Sequence, residues 1–372
     1  MLVNLVLNNF INDSRVQKTS LFYKKKYGTV LVVALHDGKL PVKDSVNGLD
    51  VYRIKITSKK LFKIRILQVF KFVEFTFRFI IKFRNTKILV CNDLNALLVG
   101  AIYKLFYPNV IIFYDSHEFA INDVPNQKWY SIKVRTLLEG SIINCASEVF
   151  TVSDSIAAFY VKLYGIKKPS VILNCPVYRE IKKTNKFREI FPIQQHQKIF
   201  LYQGMLIPGR GLEFLVENFI SKKDSDVLII MGDGILSEYF KDIINPHSNI
   251  HYHSAVPQSS LLSYTSSADF GICFIEDLCM SYRYCLPNKI FEYIMAGIPV
   301  LSSNLPEIKQ LVAKNKIGCV VGSQTVESFN ASVSQIKALN HSKFNKSILA
   351  IRNQYNWEKQ EEKLDEILQK YI

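Results

Sequence analysis

Three groups of residues in this 372-residue chain have the types and spacing to handle a phosphorylated ligand. The first is Leu286-Pro-Asn-Lys-Ile-Phe-Glu292. Pro287 suits a helix start, because a first-turn residue needs no backbone N–H for the helix ladder. Asn288 and Lys289 then fall in the first turn, where unpaired N–H groups and a cation make an anion site. Glu292 follows one turn later, where a carboxylate accepts hydrogen bonds from a sugar diol. The second group is the loop 204–211, Gly204-Met-Leu-Ile-Pro-Gly-Arg-Gly211. Gly204, Gly209 and Gly211 let the backbone approach a phosphate, and Arg210 adds a cation with bidentate donors. An ordinary strand-to-helix turn with a surface arginine has the same composition. The functional reading gains weight because Lys289 lies in the same half of the chain. The third is Tyr114-Asp-Ser-His-Glu118, where His117 ends a strand among polar neighbours and can donate to a sugar hydroxyl or to developing negative charge. A phosphate grip combined with a carboxylate for hydroxyls points to a nucleotide sugar.

Other segments carry weaker signals. Met231-Gly-Asp-Gly234 places Gly232, Asp233 and Gly234 after a strand, either against a ligand or in a tight turn, with Asp233 as a helix cap. In Asn12-Asp-Ser-Arg-Val16, Asp13 or Ser14 can cap the following helix; Asp13 and Arg15 can equally contact an acceptor. Asn92-Asp93, after Cys91, is a similar and weaker signal. Asp224-Ser-Asp226 has the D-x-D spacing that holds a divalent metal in another class of sugar transferases. It precedes a strand, at the wrong end for ligand loops, so a solvated turn and no metal are expected. The seven cysteines form no C-x-x-C pair and fall mostly in apolar runs, as expected of buried thiols in a reducing cytoplasm.

These residues sit between alternating apolar and amphipathic runs. Strands are expected at 2–7, 30–35, 51–56, 88–91, 110–114 and 149–152, then at 199–203, 227–231, 250–253, 270–274, 299–302 and 318–320. Helical stretches between most of them give βαβ alternation and parallel sheets. The polar stretch 178–197 reads as a linker. This places an N-terminal domain at 1–180 and a C-terminal domain at 181–356, each a doubly wound α/β sheet whose ligands bind beyond the carboxyl ends of the strands. The final stretch 357–372 is an amphipathic helix with Leu364, Ile367, Leu368 and Tyr371 on one face. The N-terminus reads as a first buried strand and not as a signal peptide. No apolar run is long enough to span a bilayer.

The net charge is +15, so the surface should attract phosphates of some kind. The stretch 59–84 is basic and aromatic. As a helix it has a polar stripe of Lys60, Lys63, Lys71, Glu74, Arg78 and Lys82, and an apolar face wider than docking on one sheet requires. Contact with an anionic membrane surface would use the excess; a helix covered by another element is the alternative.

The motifs at 202–213, 231–234, 286–300 and 305–308 together resemble the family 4 retaining glycosyltransferases of the GT-B fold. Asp13-Ser-Arg-Val16, Tyr114-Asp-Ser-His-Glu118 and Val152-Ser-Asp154 resemble a bacterial surface-polysaccharide branch of that family. The resemblance spans nearly the whole chain. It implies two doubly wound Rossmann-like domains facing across a cleft, with the last helix crossing back onto the N-terminal domain. It also implies a nucleotide-sugar donor on the C-terminal domain, with Arg210 at the diphosphate-binding lysine, Glu292 at the ribose-binding glutamate and His117 at a donor-sugar contact. Two positions depart from the pattern. Tyr284 stands where many members carry a glutamate, and Met205 where many carry an arginine; Lys289 is the substitute cation, and Glu276 or Asp277 the substitute carboxylate for the sugar.

The expected function is retaining, metal-independent transfer of a sugar from a nucleoside diphosphate to a lipid-linked saccharide acceptor in cell-surface polysaccharide synthesis. The expected location is the inner face of the plasma membrane, cytoplasmic and peripheral. No cofactor is expected. A nucleotide-sugar epimerase or hydrolase of the same fold is the alternative enzyme. A non-enzymatic membrane- or nucleic-acid-binding protein is the alternative from charge alone. Dispersal of the basic residues and absence of a nucleic-acid module argue against a nucleic-acid partner.

Overall fold

Fourteen strands form two sheets in the computed structural model, which describes every residue except 12, 59–67, 222–225, 245–248, 340 and 372. In the first sheet, β1 (Leu2–Leu5), β2 (Val30–Leu35), β3 (Lys43–Val46), β4 (Leu49–Ile54), β5 (Ile88–Asn92), β6 (Ile111–Asp115), β7 (Glu148–Thr151) and β8 (Ser170–Val171) take the order β3-β4-β2-β1-β5-β6-β7-β8. All pairings are parallel except β3 with β4. The chain winds outward from β1 to β2 and β4, then returns to β5 and winds the other way. The switch point lies between β1 and β5, which places the loops carrying Asp13, Arg15 and Asp93 side by side at the strand ends.

The second sheet contains β9 (Lys198–Gln203), β10 (Asp226–Met231), β11 (Ile250–His253), β12 (Phe270–Cys273), β13 (Val300–Ser303) and β14 (Gly318–Val321), in the order β11-β10-β9-β12-β13-β14. Its switch point is between β9 and β12, so the loop 204–211 opens from it. Strands β9, β10, β12 and β13 are almost wholly buried, as expected where helices cover both faces. Phe200, Phe219, Phe270 and Phe329 fill this core.

Every strand read from the sequence is present, with ends moved by at most two residues. The structure adds β8 and the hairpin β3–β4. Asn47 and Gly48 turn that hairpin with φ of 51° and 78°, the positive-φ pair that a two-residue hairpin loop demands.

The two units are Met1–Asp123 with Gln127–Ile172 and Leu368–Ile372, and Leu173–Ile367 with Val124–Asn126. The stretch 178–197 packs within the second unit. Phe187 is fully buried, and Lys183 Nζ and Thr184 Oγ1 donate to the carbonyls of Ala268 and Ser263. Its polar residues therefore cap and tether the unit's own elements. The last helix, Trp357–Leu368, lies in the second unit up to Ile367, where Trp357 N–H donates to Pro176 O and Gln360 accepts from Leu173 N–H. Only the residues from Leu368 on group with the first unit, through Tyr371 to Ser147 O and Lys370 to Glu148.

Helix Gln68–Lys82 occupies most of the described part of 59–84; Lys60 and Lys63 lie outside the described residues. None of the seven cysteines is in a disulfide.

Candidate functional site

In the second unit the loop 204–211 is held from three sides. Gly204 N–H donates to Met231 O, and a Cβ on Gly232 would lie 1.8 Å from Gly204 O, so glycine at 232 lets the two loops touch. Glu276 N–H donates to Gly209 O, and its carboxylate accepts from Gly211 N–H at 3.1 Å. Glu276, a sequence-level candidate for sugar contact, is thus spent on fixing the loop. Asp277, the other, pairs with Arg283 at 3.3 Å. Asp233 accepts from Tyr252 OH and Ala255 N–H and caps no helix, because the next one begins at Ser237. Gly234 N–H donates to Ser237 Oγ, which anchors the same turn.

Helix Asn288–Ala296 starts directly after Pro287, as its residues dictate. Lys289 in its first turn is only 9% exposed, and its Nζ has no hydrogen-bond partner. The ammonium sits 3.6 Å from the centroid of the Tyr202 ring and packs on the bare Cα of Gly204. Burial, seconded by Arg210, lowers its pKa from 10.5 to about 7, against the opposing pull of Cys273 and Glu292. A desolvated cation at a helix N-terminus, with no partner, is poised for an anion. Arg210 is the second cation; its guanidinium lies over the Tyr282 ring at 4.6 Å. Glu292 is fixed by Gln203, whose Nε2 donates to it at 2.5 Å while its Oε1 accepts from Thr265. Tyr293 locks the helix to the sheet, its phenol accepting from Gln203 N–H and lying within 3.1 Å of the carbonyls of Leu201 and Ile272.

The first unit carries its own polar cluster at the ends of β1, β5 and β6. Arg15 is buried and bidentate on Asp115, with Nη1 donating to Ile172 O at 2.7 Å. Direct acceptor contact by Arg15 is therefore corrected: the guanidinium is spent on the carboxylate. Asp13 caps helix Ser14–Tyr27 through Val16 N–H and also accepts from Asn8. Burial disfavours charge on Asp115, but Arg15 and His117 outweigh it and hold its pKa well below the usual range. His117 Nε2 stands 3.0 Å from Asn92 Oδ1 and 3.5 Å from Asp115, and Nδ1 stands 4.0 Å from Asp93. Burial opposes its charge, yet the carboxylates of Asp93 and Asp115 raise its pKa from 6.5 to about 9. The two carboxylates thus favour the imidazolium form, which donates from both ring nitrogens. Asn92 donates through Nδ2 to Asn4 Oδ1 and Leu5 O, which turns its own Oδ1 toward the ring. Asp93 holds φ of 67°, rare for a residue with a side chain, and its carboxylate is 56% exposed. Such strain marks sites where the surroundings over-determine the backbone.

Sequence reasoning missed Tyr202, Gln203 and Tyr282 as site residues. Gln203 ends a strand next to the loop already singled out, a signal that was available. The ring-on-cation contacts depend on tertiary packing and leave no spacing signature. Asp226 also differs from its reading as a solvated turn: it is buried and paired with Lys337 at 2.8 Å, while Asp224 lies outside the described residues.

Residues 197–338, which include the loop 204–211 and helix Asn288–Ala296, match the family model described as glycosyl transferases group 1. No curated protein matches the chain. Several solved structures do. Sucrose-phosphate synthase from Thermosynechococcus elongatus is similar with a TM-score of 0.76 at 14% identity, covering 100% of this chain and 98% of that one. HepE of Anabaena, in complex with UDP and glucose, gives 0.75 at 15% identity with 99% of each chain covered. WaaG, a glycosyltransferase involved in lipopolysaccharide biosynthesis, gives 0.70 at 13% identity, again with 99% of each covered. At such identities the likeness is one of fold. The chain has the GT-B fold, and its residues 197–338 are similar to the group 1 glycosyl transferases.

Proposed function

We propose that the protein transfers a sugar from a nucleoside diphosphate to a hydroxyl of a lipid-linked glycan, with retention at the anomeric carbon and without a metal. The observation that carries this reading is Lys289: a buried, unpartnered ammonium at a helix start, beside Arg210 and the loop 204–211. Two cations near first-turn N–H groups suit a diphosphate whose charge grows as it leaves. HepE, in complex with UDP-glucose, and the E. coli protein bound with UDP-2-fluoro glucose make UDP the first nucleotide to test.

In this reading the bond between the anomeric carbon and the diphosphate oxygen breaks, and its electron pair leaves with the diphosphate. Arg210, Lys289 and the N–H groups of Asn288 and Lys289 stabilise that charge; one such preorganised donor is worth ~2.7–4 kcal/mol. The acceptor oxygen bonds to the same face of the anomeric carbon, and its proton passes to the departing phosphate oxygen. Glu292, oriented by Gln203, accepts from the ribose hydroxyls. In the first unit His117 donates to a sugar hydroxyl, Asp93 offers its carboxylate to the acceptor, and Asp13 and Arg15 support the cluster from behind.

We also assign the protein a peripheral place on an anionic membrane, at the cytoplasmic face. Helix Gln68–Lys82 buries Phe75 and Phe79 but leaves Val69, Val73, Phe77 and Ile81 between 49% and 64% exposed. Beside it a groove of about 750 Å³ is lined by Tyr52, Phe77, Ile81, Lys55, Lys82 and Arg84. Apolar side chains bordered by cations fit a bilayer interface. Among the described residues no helix is long and apolar enough to cross a membrane.

The test incubates purified protein with a panel of nucleotide sugars, with and without a membrane-lipid acceptor fraction, and follows products by NMR. Acceptor-dependent release of the nucleoside diphosphate, with the donor's anomeric configuration kept, is expected. Release without acceptor would favour a hydrolase, and an altered sugar still on its nucleotide an epimerase; either overturns the reading.

A further inference from the structure

We propose that Tyr202 and Tyr282 are positioning residues, which hold Lys289 and Arg210 by their ring faces and so leave both charges uncompensated for an anionic ligand. The proposal deepens the donor-site reading and rests on it for the identity of the ligand. Each of the two site cations lies over a tyrosine, Lys289 Nζ at 3.6 Å from the Tyr202 centroid and Arg210 Cζ at 4.6 Å from that of Tyr282. Among the described residues neither forms an ion pair with a carboxylate. Two buried arginines in the first unit are held by carboxylates instead: Arg15 pairs with Asp115 at 2.6 Å and Arg53 with Asp44 at 2.7 Å.

The difference has a physical consequence. A carboxylate orients a cation but cancels its charge, so an incoming phosphate meets a dipole and must compete for the donors. An aromatic face orients the cation through the ring quadrupole and carries no net charge. Whatever positive charge each cation carries then remains for the ligand.

Both rings are fixed. Tyr202 is fully buried, and its hydroxyl donates to Met205 O at 3.0 Å. Tyr282 lies in the short helix Met280–Arg283, and its ring approaches the loop so closely that a Cβ on Gly209 would stand 2.9 Å from its Cε2. The ring thus fixes the loop and the arginine together. Two positions later, Tyr284 stands where the family resemblance implies a glutamate, so that position adds no carboxylate.

Tyr282 is half-buried and gives the cleaner test. Binding of UDP and of inorganic pyrophosphate is measured by calorimetry for the wild type and for Tyr282→Phe, Tyr282→Leu and Tyr282→Glu, with thermal unfolding as a check on folding. Phe, which keeps the face, should bind as the wild type does. Leu should weaken both ligands roughly 3- to 30-fold at unchanged melting temperature. Glu should weaken them most and flatten the salt dependence of binding, because it supplies the missing counter-ion. Equal affinity for the Leu or Glu variant would overturn the proposal. A ligand-free measurement separates this failure from that of the donor site. With the arginine side chains labelled, the Arg210 methylene protons should show upfield ring-current shifts in NMR, retained in Phe and lost in Leu. Absence of these shifts overturns the proposal whether or not UDP binds. Shifts present without any nucleotide binding would refute the donor site and leave the ring contact standing.

Discussion

Lys289 is the residue at which stability and function pull apart. Its pKa falls to about 7 on folding from an ordinary 10.5, so between those values the unfolded chain binds more protons than the native one. Stability from this group is full above the higher value and lost as pH falls toward the lower. Lys289→Met removes that cost. The variant should melt higher than the wild type at pH 7 while binding UDP more weakly, an expected trade at a preorganised site. An anion raises the ammonium's pKa on binding. Wild-type affinity should therefore be highest at and below pH 7 and fall as pH rises above it, whereas the Met variant should lose that slope; calorimetry across pH checks both. His117 has the opposite sign. Its pKa is raised from 6.5 to about 9, so its contribution to stability is complete below 6.5 and disappears as pH climbs through 9. In His117→Gln, denaturant titrations should lose that part of the pH dependence. Arg210→Ala should lower turnover by roughly 10²–10³ with the fold intact.

At the scale of elements, the site depends on glycine contacts as much as on charges. Gly232→Ala would drive a Cβ into Gly204 O, and relief must move one of the two loops. Chemical denaturation should show a loss of about 1–3 kcal/mol, the usual range for overpacking. The sequence made much of this scale legible. Pro287, Lys289 and Glu292 fall in a helix beginning where proline permits it, and the three glycines of 204–211 mark a loop that does approach its neighbours closely. The hairpin β3–β4 was also legible, through Asn47-Gly48, but strand periodicity over four polar-rich residues was too short to register. What could not be read was the fate of the charged groups. Whether Arg15 meets a ligand or Asp115, and whether Glu276 meets a sugar or Gly211 N–H, is decided by residues 100 and 65 positions away. Spacing along the chain carries no information about such partners.

For the molecule as a whole, the +15 charge and the exposed face of helix Gln68–Lys82 make one prediction together. The protein should co-sediment with vesicles containing phosphatidylglycerol and not with purely zwitterionic ones. Phe77→Asp should reduce that binding, and raising the ionic strength should reverse it, since each lysine or arginine near the surface contributes about 1 kcal/mol that salt screens. Equal binding to both vesicle types would remove the membrane assignment and leave the donor site untouched. The central claim concerns that donor site: the second unit grips a nucleoside diphosphate through Arg210, Lys289 and the loop between them. Calorimetric titration with UDP of the wild type, Arg210→Ala and Lys289→Met addresses it most directly. Saturable one-to-one binding by the wild type, weakened in both variants at unchanged fold, is the predicted result; wild-type affinity retained by both variants would contradict it.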